Sequence, residues 1–303
     1  MTYADWIAVD WGTSHLRAWA MQADGSVKAE ACSDDGMARM NSPEDFQPAL
    51  LSLIEPWLGA QPLPVLACGM IGSRQGWSEA PYIKAPAKPS ALAPHRVAGT
   101  DGRIRLFIQP GLSQSKPSAD VMRGEETQIA GFLSDTPEFD GVLCLPGTHT
   151  KWVHISAGEV VSFQTFMTGE MFDLLSRQSV LRHSVASEGL HAEAFDAALE
   201  ETLSRPEKIA QMLFAIRAEN VLAGLAPDAA RARLSGLLIG AELAGAKPYW
   251  LGQNVAVVGA ALLVDLYARA LESQGAFVTR SQADTLTLKG LSAVYQSLAE
   301  TIA

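Results

Sequence analysis

Four short segments of this 303-residue chain carry residue types at spacings that suit phosphate chemistry. The first is Asp10-Trp11-Gly12-Thr13-Ser14. An aspartate at a strand end, followed by a tight Gly-Thr-Ser turn, brings a carboxylate next to successive backbone N–H groups and two hydroxyls. Gly12 lets an anion approach the backbone, and such N–H groups can form an anion-binding concavity. Asp10 can hold Mg²⁺ through water, because that ion gives up its hydration reluctantly. Arg17, on the next strand, either reaches phosphate or faces solvent. Taken alone, the segment also reads as an ordinary hairpin turn.

The second segment, Pro146-Gly147-Thr148-His149-Thr150-Lys151, offers another set of hydroxyl and N–H donors, with Leu145 where the first has Asp10. His149 is a candidate within it. Lys151 either contacts phosphate or substrate, or is a solvated strand lysine. The third is Arg123-Gly124-Glu125-Glu126-Thr127-Gln128. A carboxylate just after a glycine at a helix start sits where the helix dipole favours its ionised form, and there it can take a proton from a hydroxyl. The same pattern also describes a plain acidic first turn. The fourth is a strand at 255–258, then Gly259, then an apolar helix. A glycine there lets a flat ring approach the backbone, although an unadorned βα unit looks the same.

The elements that must position these residues contain a repeat. Residues 7–19, IAVDWGTSHLRAW, and 142–154, VLCLPGTHTKWVH, both run strand, Gly-Thr turn, basic residue, strand. Beyond each lies a turn glycine, Gly25 or Gly158, and a third alternating strand at 27–31 or 160–166. Each segment therefore reads as a three-strand meander. Ser42 is an expected N-cap with Pro43 at the first helical position and Asp45 three residues on. Phe46, Ala49, Leu50, Leu53 and Trp57 follow at helical spacing. Strands are expected at 65–68 and 104–108, with loop at 78–100 and 110–120. After the second meander the chain reads as mostly helical over 169–245, then strand, long helix at 260–274, strand near 277–279, and a final helix from about 284. Strands alternating with helices after initial hairpins argue a mixed-sheet α/β fold.

Composition narrows the classes. Nearly half the residues are hydrophobic and 18% are charged, which supports a sizeable core. The formal charge of −10 disfavours broad nucleic-acid or anionic-lipid binding, and the longest apolar run is too short to span a membrane. Three scattered cysteines fit reduced thiols. With no signal peptide visible, a soluble cytoplasmic protein of about two domains is expected. The P-loop, GxGxxG, HExxH and GxSxG patterns are all missing.

The order of the four segments resembles the sugar kinase–heat-shock chaperone–actin superfamily. CGMIGSRQGWSEAPY, VMRGEETQ, LPGTHTKW, FMTGE and LSGLLIGAE together resemble the 2-dehydro-3-deoxygalactonokinase family over nearly the whole chain. The resemblance implies two ribonuclease H-like domains of the actin-like ATPase fold, each with a mixed sheet beginning in a meander, and a cleft between them. The boundaries expected are 1–124 for a sugar-acid and phosphate domain and 125–303 for a nucleotide domain, with the final helix a candidate to pack back on the first. It implies ATP and Mg²⁺ as cofactors and phosphorylation of the 6-hydroxyl of 2-dehydro-3-deoxy-D-galactonate. Carried over residue by residue, Asp10 is the metal residue. Gly12, Thr13, Ser14, Arg17, Gly147, Thr148, His149, Thr150 and Gly259 bind nucleotide.

The resemblance also implies a catalytic base: Glu125 occupies the position where related kinases place Asp after the glycine, and Glu126 is the alternate because the longer side chain could shift the role. Met70, Arg74, Gln75, Trp77, Arg123, Lys151 and Glu170 are candidates for the sugar acid, Arg74 first, because a guanidinium fork suits a carboxylate. Homo-oligomerisation stays open. The competing expectations are a kinase for another sugar or keto-sugar acid, and a non-catalytic ATP-binding regulator.

Overall fold

A computed structural model describes residues 4–186, 188–189 and 191–302. In chain order the elements are β1 (Trp6–Trp11), β2 (Leu16–Met21), β3 (Val27–Ser33), α1 (Phe46–Ile54), β4 (Leu63–Gly69), β5 (Tyr82–Lys84), β6 (His95–Arg96), β7 (Ile104–Ile108), β8 (Gly111–Gln114), β9 (Asp120–Met122) and α2 (Glu125–Asp135). There follow β10 (Gly141–Leu145), β11 (Thr150–Ser156), β12 (Glu159–Phe166), α3 (Thr168–Arg177), α4 (Ala192–Ser204), α5 (Ile209–Ala223), α6 (Pro227–Gly245), α7 (Lys247–Trp250), β13 (Val255–Gly259), α8 (Ala261–Ser273), β14 (Val278–Gln282) and α9 (Ala283–Ile302). The fold is α/β with mixed sheets.

The chain divides into two compact units. Residues up to Phe139, with 155–162 and those from Ala283 onward, form the first; Asp140–His154 and Phe163–Gln282 form the second. This division falls beyond α2, not at the Gly124-Glu125 turn, and α9 belongs to the first unit. The reason is packing. Gly131 of α2 and Gly290 of α9 each lie so close to the other helix that an added Cβ would stand 2.0 Å from a backbone oxygen.

In the first unit the sheet order is β3-β2-β1-β4-β7-β6; in the second sheet it is β12-β11-β10-β13-β14. Each places a meander beside parallel strands: β1 pairs parallel with β4 and β4 with β7, as β10 does with β13 and β13 with β14. The repeat read at 7–19 and 142–154 therefore occupies corresponding places in the two orders.

Strand alternation decides which face carries chemistry. Ile7, Val9 and Trp11, with Val65 and Ala67, pack in the core under α1. Trp6, Ala8, Leu66 and Cys68 face the opposite way, against Leu291 and Val294 of α9. Asp10 continues that second face, opposite Cys68 in the β1–β4 register. Burial of each large apolar side chain contributes about 1.5–3 kcal/mol.

Two stretches expected as loop contain strand instead: β5 and β6 lie within 78–100, and β8 lies within 110–120, with β9 starting at its last residue. Strands of two to four residues are too short to show an alternating pattern among the prolines of these stretches. The Ser42 cap forms with its reciprocal Asp45 bond, but opens a 3₁₀ turn at Pro43–Asp45 that leads into α1. No helix among the described residues is long and apolar enough to cross a membrane. Cys32, Cys68 and Cys144 are all free.

Candidate active site

In the first unit, Asp10 stands at the C-terminal end of β1 and Arg17 lies directly across the hairpin from it. The guanidinium donates to Asp10 Oδ2 at 2.7 Å and also bonds Asp284 in the first turn of α9. Burial raises the Asp10 carboxyl above its ordinary range, and Arg17 opposes that shift. The Gly12–Ser14 turn is held from below. Met37 and Ala38 N–H groups donate to the Gly12 and Thr13 carbonyls, and Gly36 approaches so closely that a Cβ there would meet Ser14 at 2.2 Å. Thr13 and Ser14 remain exposed.

Glu125 and Glu126 open α2 beside this group. Gly124 has φ +104° and Gly69, ending β4, has φ +89°. Both values favour glycine. A Cβ on Gly124 would sit 3.4 Å from the Gly69 Cα, so the helix start abuts the strand end. The two glutamates then diverge. Glu126 is 1% exposed, accepts from the Gly124 N–H at 2.7 Å and from the Thr127 hydroxyl at 3.1 Å. Burial, reinforced by Glu125, pushes its carboxyl up to about 8. Glu125 is half-buried and accepts from the Arg123 N–H at 3.1 Å.

A pH effect follows from Glu126. Its folded-state pKa lies above its unfolded value, so folding takes up a proton between them. The stabilisation is complete below about pH 4.5 and is lost as pH rises towards 8. Stability of the first unit should fall by up to about 1.4 kcal/mol per pH unit across that window from this group. Urea denaturation at several pH values checks it: Glu126→Gln should flatten the slope. An unchanged slope in the variant would show that Glu126 does not carry it.

The second unit builds around the Gly147–His149 turn. Gly147 is half-buried with open space at its Cβ position, and Thr148 and His149 are exposed. The start of α3 packs on this turn: a Cβ on Gly169 would lie 2.1 Å from the Gly147 carbonyl oxygen, and the Glu170 N–H donates to the Thr148 carbonyl. The Glu170 carboxylate meets His149 Nε2 at 2.6 Å. Gly259, ending β13, backs the turn from the other side, its Cβ position 3.3 Å from Pro146.

The residues expected to bind ligand are not placed alike. Thr150 is fully buried, with its hydroxyl 3.0 Å from that of Tyr267, so the side chain points inward from the turn. Lys151 is 5% exposed and donates to the His149 carbonyl at 3.1 Å; it is not a solvated strand lysine. Arg123 is buried as well. Its guanidinium donates to the Ala80 carbonyl at 2.7 Å and stacks over Tyr82 at 4.3 Å, holding the 80–82 segment. Trp77 packs against the first core, near Phe46. Arg74 and Gln75 are exposed in the loop after β4, and Met70 is half-buried at its start.

Sequence reasoning gave no role to Asp284, to Tyr267 or to Glu242, a buried carboxylate of α6 that accepts from the Tyr267 hydroxyl. Glu242 carried one usable signal: a single carboxylate inside the apolar helical run Leu237–Leu243. Asp284 had none, being 267 residues from its partner.

For a metal, the donor set is sparse. Among the described residues no group of three or more His, Cys, Asp or Glu side chains could hold an ion. Asp10 offers one carboxylate already balanced by Arg17. This fits a hydrated Mg²⁺ that arrives with phosphate oxygens, and does not fit an ion caged by protein alone.

A sequence profile described as 2-keto-3-deoxy-galactonokinase matches residues 10–294. A Rhizobium meliloti (strain 1021) protein assigned as 2-dehydro-3-deoxygalactonokinase DgoK1 is 41% identical over 96% of each chain. The 2-dehydro-3-deoxygalactonokinase of Escherichia coli (strain K12) is 35% identical, over 98% of this chain and 99% of its own. A crystal structure from Sinorhizobium meliloti, assigned to the same activity, superimposes with a TM-score of 0.86 at 39% identity, covering 97% of this chain and 99% of the other. With a match that runs from Asp10 in β1 into α9 and takes in all four phosphate-type segments, the chain belongs to the 2-keto-3-deoxy-galactonokinase family.

Proposed function

We propose that this protein transfers the γ-phosphoryl group of ATP to the 6-hydroxyl of 2-dehydro-3-deoxy-D-galactonate, giving the 6-phosphate and ADP in galactonate breakdown. The observation that carries the reading beyond family membership is the glutamate pair at the start of α2. One carboxyl is buried and pushed up to about 8, and the other is half-open beside Asp10's strand end. Two carboxyls whose environments differ this much suit separate tasks.

In the first unit, Glu125 accepts the proton of the acceptor hydroxyl, which makes that oxygen a better nucleophile towards phosphorus. Glu126 keeps the first turn of α2 in register by capping Gly124. The Gly12–Ser14 turn offers N–H groups and two exposed hydroxyls to phosphate. Asp10, its carboxylate oriented by Arg17, would hold a hydrated Mg²⁺, which would supply charge neutralisation on the phosphates. Arg74 and Gln75, exposed after β4, address the substrate carboxylate, with Met70 at the pocket's edge. Trp77 and Arg123 shape the loops behind them.

In the second unit, the Gly147 and Thr148 N–H groups and the Thr148 hydroxyl bind nucleotide phosphate. His149 is oriented by Glu170, Lys151 fixes the turn through the His149 carbonyl, and Gly259 lets the adenine approach the backbone. Phosphoryl transfer needs little covalent chemistry from protein groups, so positioning and charge neutralisation supply most of the rate. The matching strand orders support reading each sheet as ribonuclease H-like, in the actin-like manner.

A coupled ADP-release assay tests this. The galactonate derivative should support the highest kcat/KM, ahead of its gluconate epimer and of simple hexoses. A better rate with another acid would reassign the substrate. ATP binding with no acceptor-dependent ADP release would instead make the protein a regulator.

A further inference from the structure

A buried carboxylate in the second unit is unused by the mechanism above. Glu242, on α6, is 3% exposed. Its Oε1 accepts from Trp152 Nε1 at 2.8 Å and its Oε2 accepts from the Tyr267 hydroxyl at 2.8 Å. The Thr168 hydroxyl also bonds it. Tyr267 spends its only proton on Glu242, so Thr150 is the donor in the 3.0 Å contact between the two hydroxyls.

The partners come from separate elements, and each adjoins the Gly147–His149 turn. Thr150 is the first residue after that turn, at the head of β11, and Trp152 follows it on the same strand. Thr168 is the first residue of α3, whose next residue, Gly169, packs against the Gly147 carbonyl. Tyr267 lies on α8, the helix entered through Gly259. One carboxylate thus ties both flanks of the turn to the helix behind Gly259.

An apolar side chain would fill the space and leave the Trp152 N–H and the Tyr267 and Thr168 hydroxyls without an acceptor. A glutamine would reach them, but its amide NH₂ would face groups that are already donating. Only a carboxylate accepts from all of them, and a buried acceptor set of this kind is costly to leave half satisfied.

We propose that Glu242 is a positioning residue for nucleotide phosphate: it fixes the Gly147–His149 turn from below without touching ligand. This rests on the reading of that turn as a nucleotide site.

Glu242→Gln and Tyr267→Phe test it in the full-length protein. Hydrogen exchange should accelerate at residues 147–150 and at the first turn of α3 in Glu242→Gln, more than in the rest of the second unit. Tyr267→Phe should shift the same amides less. The Kd for a non-hydrolysable ATP analogue, by calorimetry, should rise about tenfold in Glu242→Gln, a change of about 1.4 kcal/mol. The KM for the sugar acid should stay as in the wild type. If exchange rises evenly through the second unit and nucleotide Kd is unchanged, Glu242 serves stability alone and the proposal fails. If the wild type itself binds no nucleotide, the kinase reading fails. The exchange pattern then still decides whether Glu242 holds the turn. Should Glu242→Gln not fold, Tyr267→Phe and Thr168→Val carry the same comparison with smaller expected shifts.

Discussion

Glu125→Gln should lower kcat by about 10²–10⁴-fold and leave nucleotide affinity unchanged. The substitution keeps shape and removes the proton acceptor. Its effect therefore belongs to the step in which the acceptor hydroxyl loses its proton. Glu126→Gln is the informative contrast, because the two residues are adjacent in sequence and differ in surroundings. Glu126 lies 1% exposed with both oxygens engaged, by the Gly124 N–H and the Thr127 hydroxyl. A carboxyl so placed can meet an acceptor only if the first turn of α2 opens. Pushed up to about 8 by burial, it also holds its own proton through much of the neutral range. Its glutamine variant should keep kcat within a few-fold and show the flattened pH–stability slope. Single-turnover rates for both variants decide the matter. If Glu126→Gln is the inactive one and Glu125→Gln turns over normally, the roles exchange.

What could be read from residue types, and what could not, follows from range. The two Gly-Thr turns were legible because a hairpin is local: strand, glycine turn and strand lie within a dozen residues. Gly124 followed by two glutamates was legible as a helix start for the same reason. The choice between Glu125 and Glu126 was not. It depends on Gly69, 55 residues before Gly124, letting the start of α2 abut the end of β4, and on the burial of Glu126 there. Arg17 read as a phosphate or solvent residue because its two carboxylate partners are set by cross-strand register and by a helix at the far end of the chain. Thr150 and Lys151 read as ligand groups from the motif. Strand alternation and a buried acceptor network turn one towards Tyr267 and the other back on its own turn. The division between units shifted for a similar reason, since α2 follows α9 and not its own neighbours in sequence.

That α2–α9 contact supports the second large effect. Gly290→Ala and Gly131→Ala should each destabilise the first unit by about 3 kcal/mol or more. Alanine ordinarily favours a helix interior over glycine by about 1 kcal/mol, so the expected sign is opposite to helix propensity. The cause is steric. A Cβ at Gly290 would stand 2.0 Å from the Thr127 carbonyl oxygen, and one at Gly131 would stand 2.0 Å from that of Leu286. Both obstacles are backbone within helices, so no rotamer change relieves them. The helices must separate, which uncovers Leu291 and Val294 from the Trp6 face of the sheet. Thermal melts should fall by roughly 6–12 °C for each variant, and the double variant by less than the sum, because the two sites share one interface. Gly102→Ala is the control: it has open space at its Cβ position and no positive φ, and should melt with the wild type. Since Glu125 and Glu126 open the displaced helix, kcat should fall with stability in the folded fraction. A Gly290→Ala protein that melts like the Gly102→Ala control would mean that the two helices do not meet as closely as described.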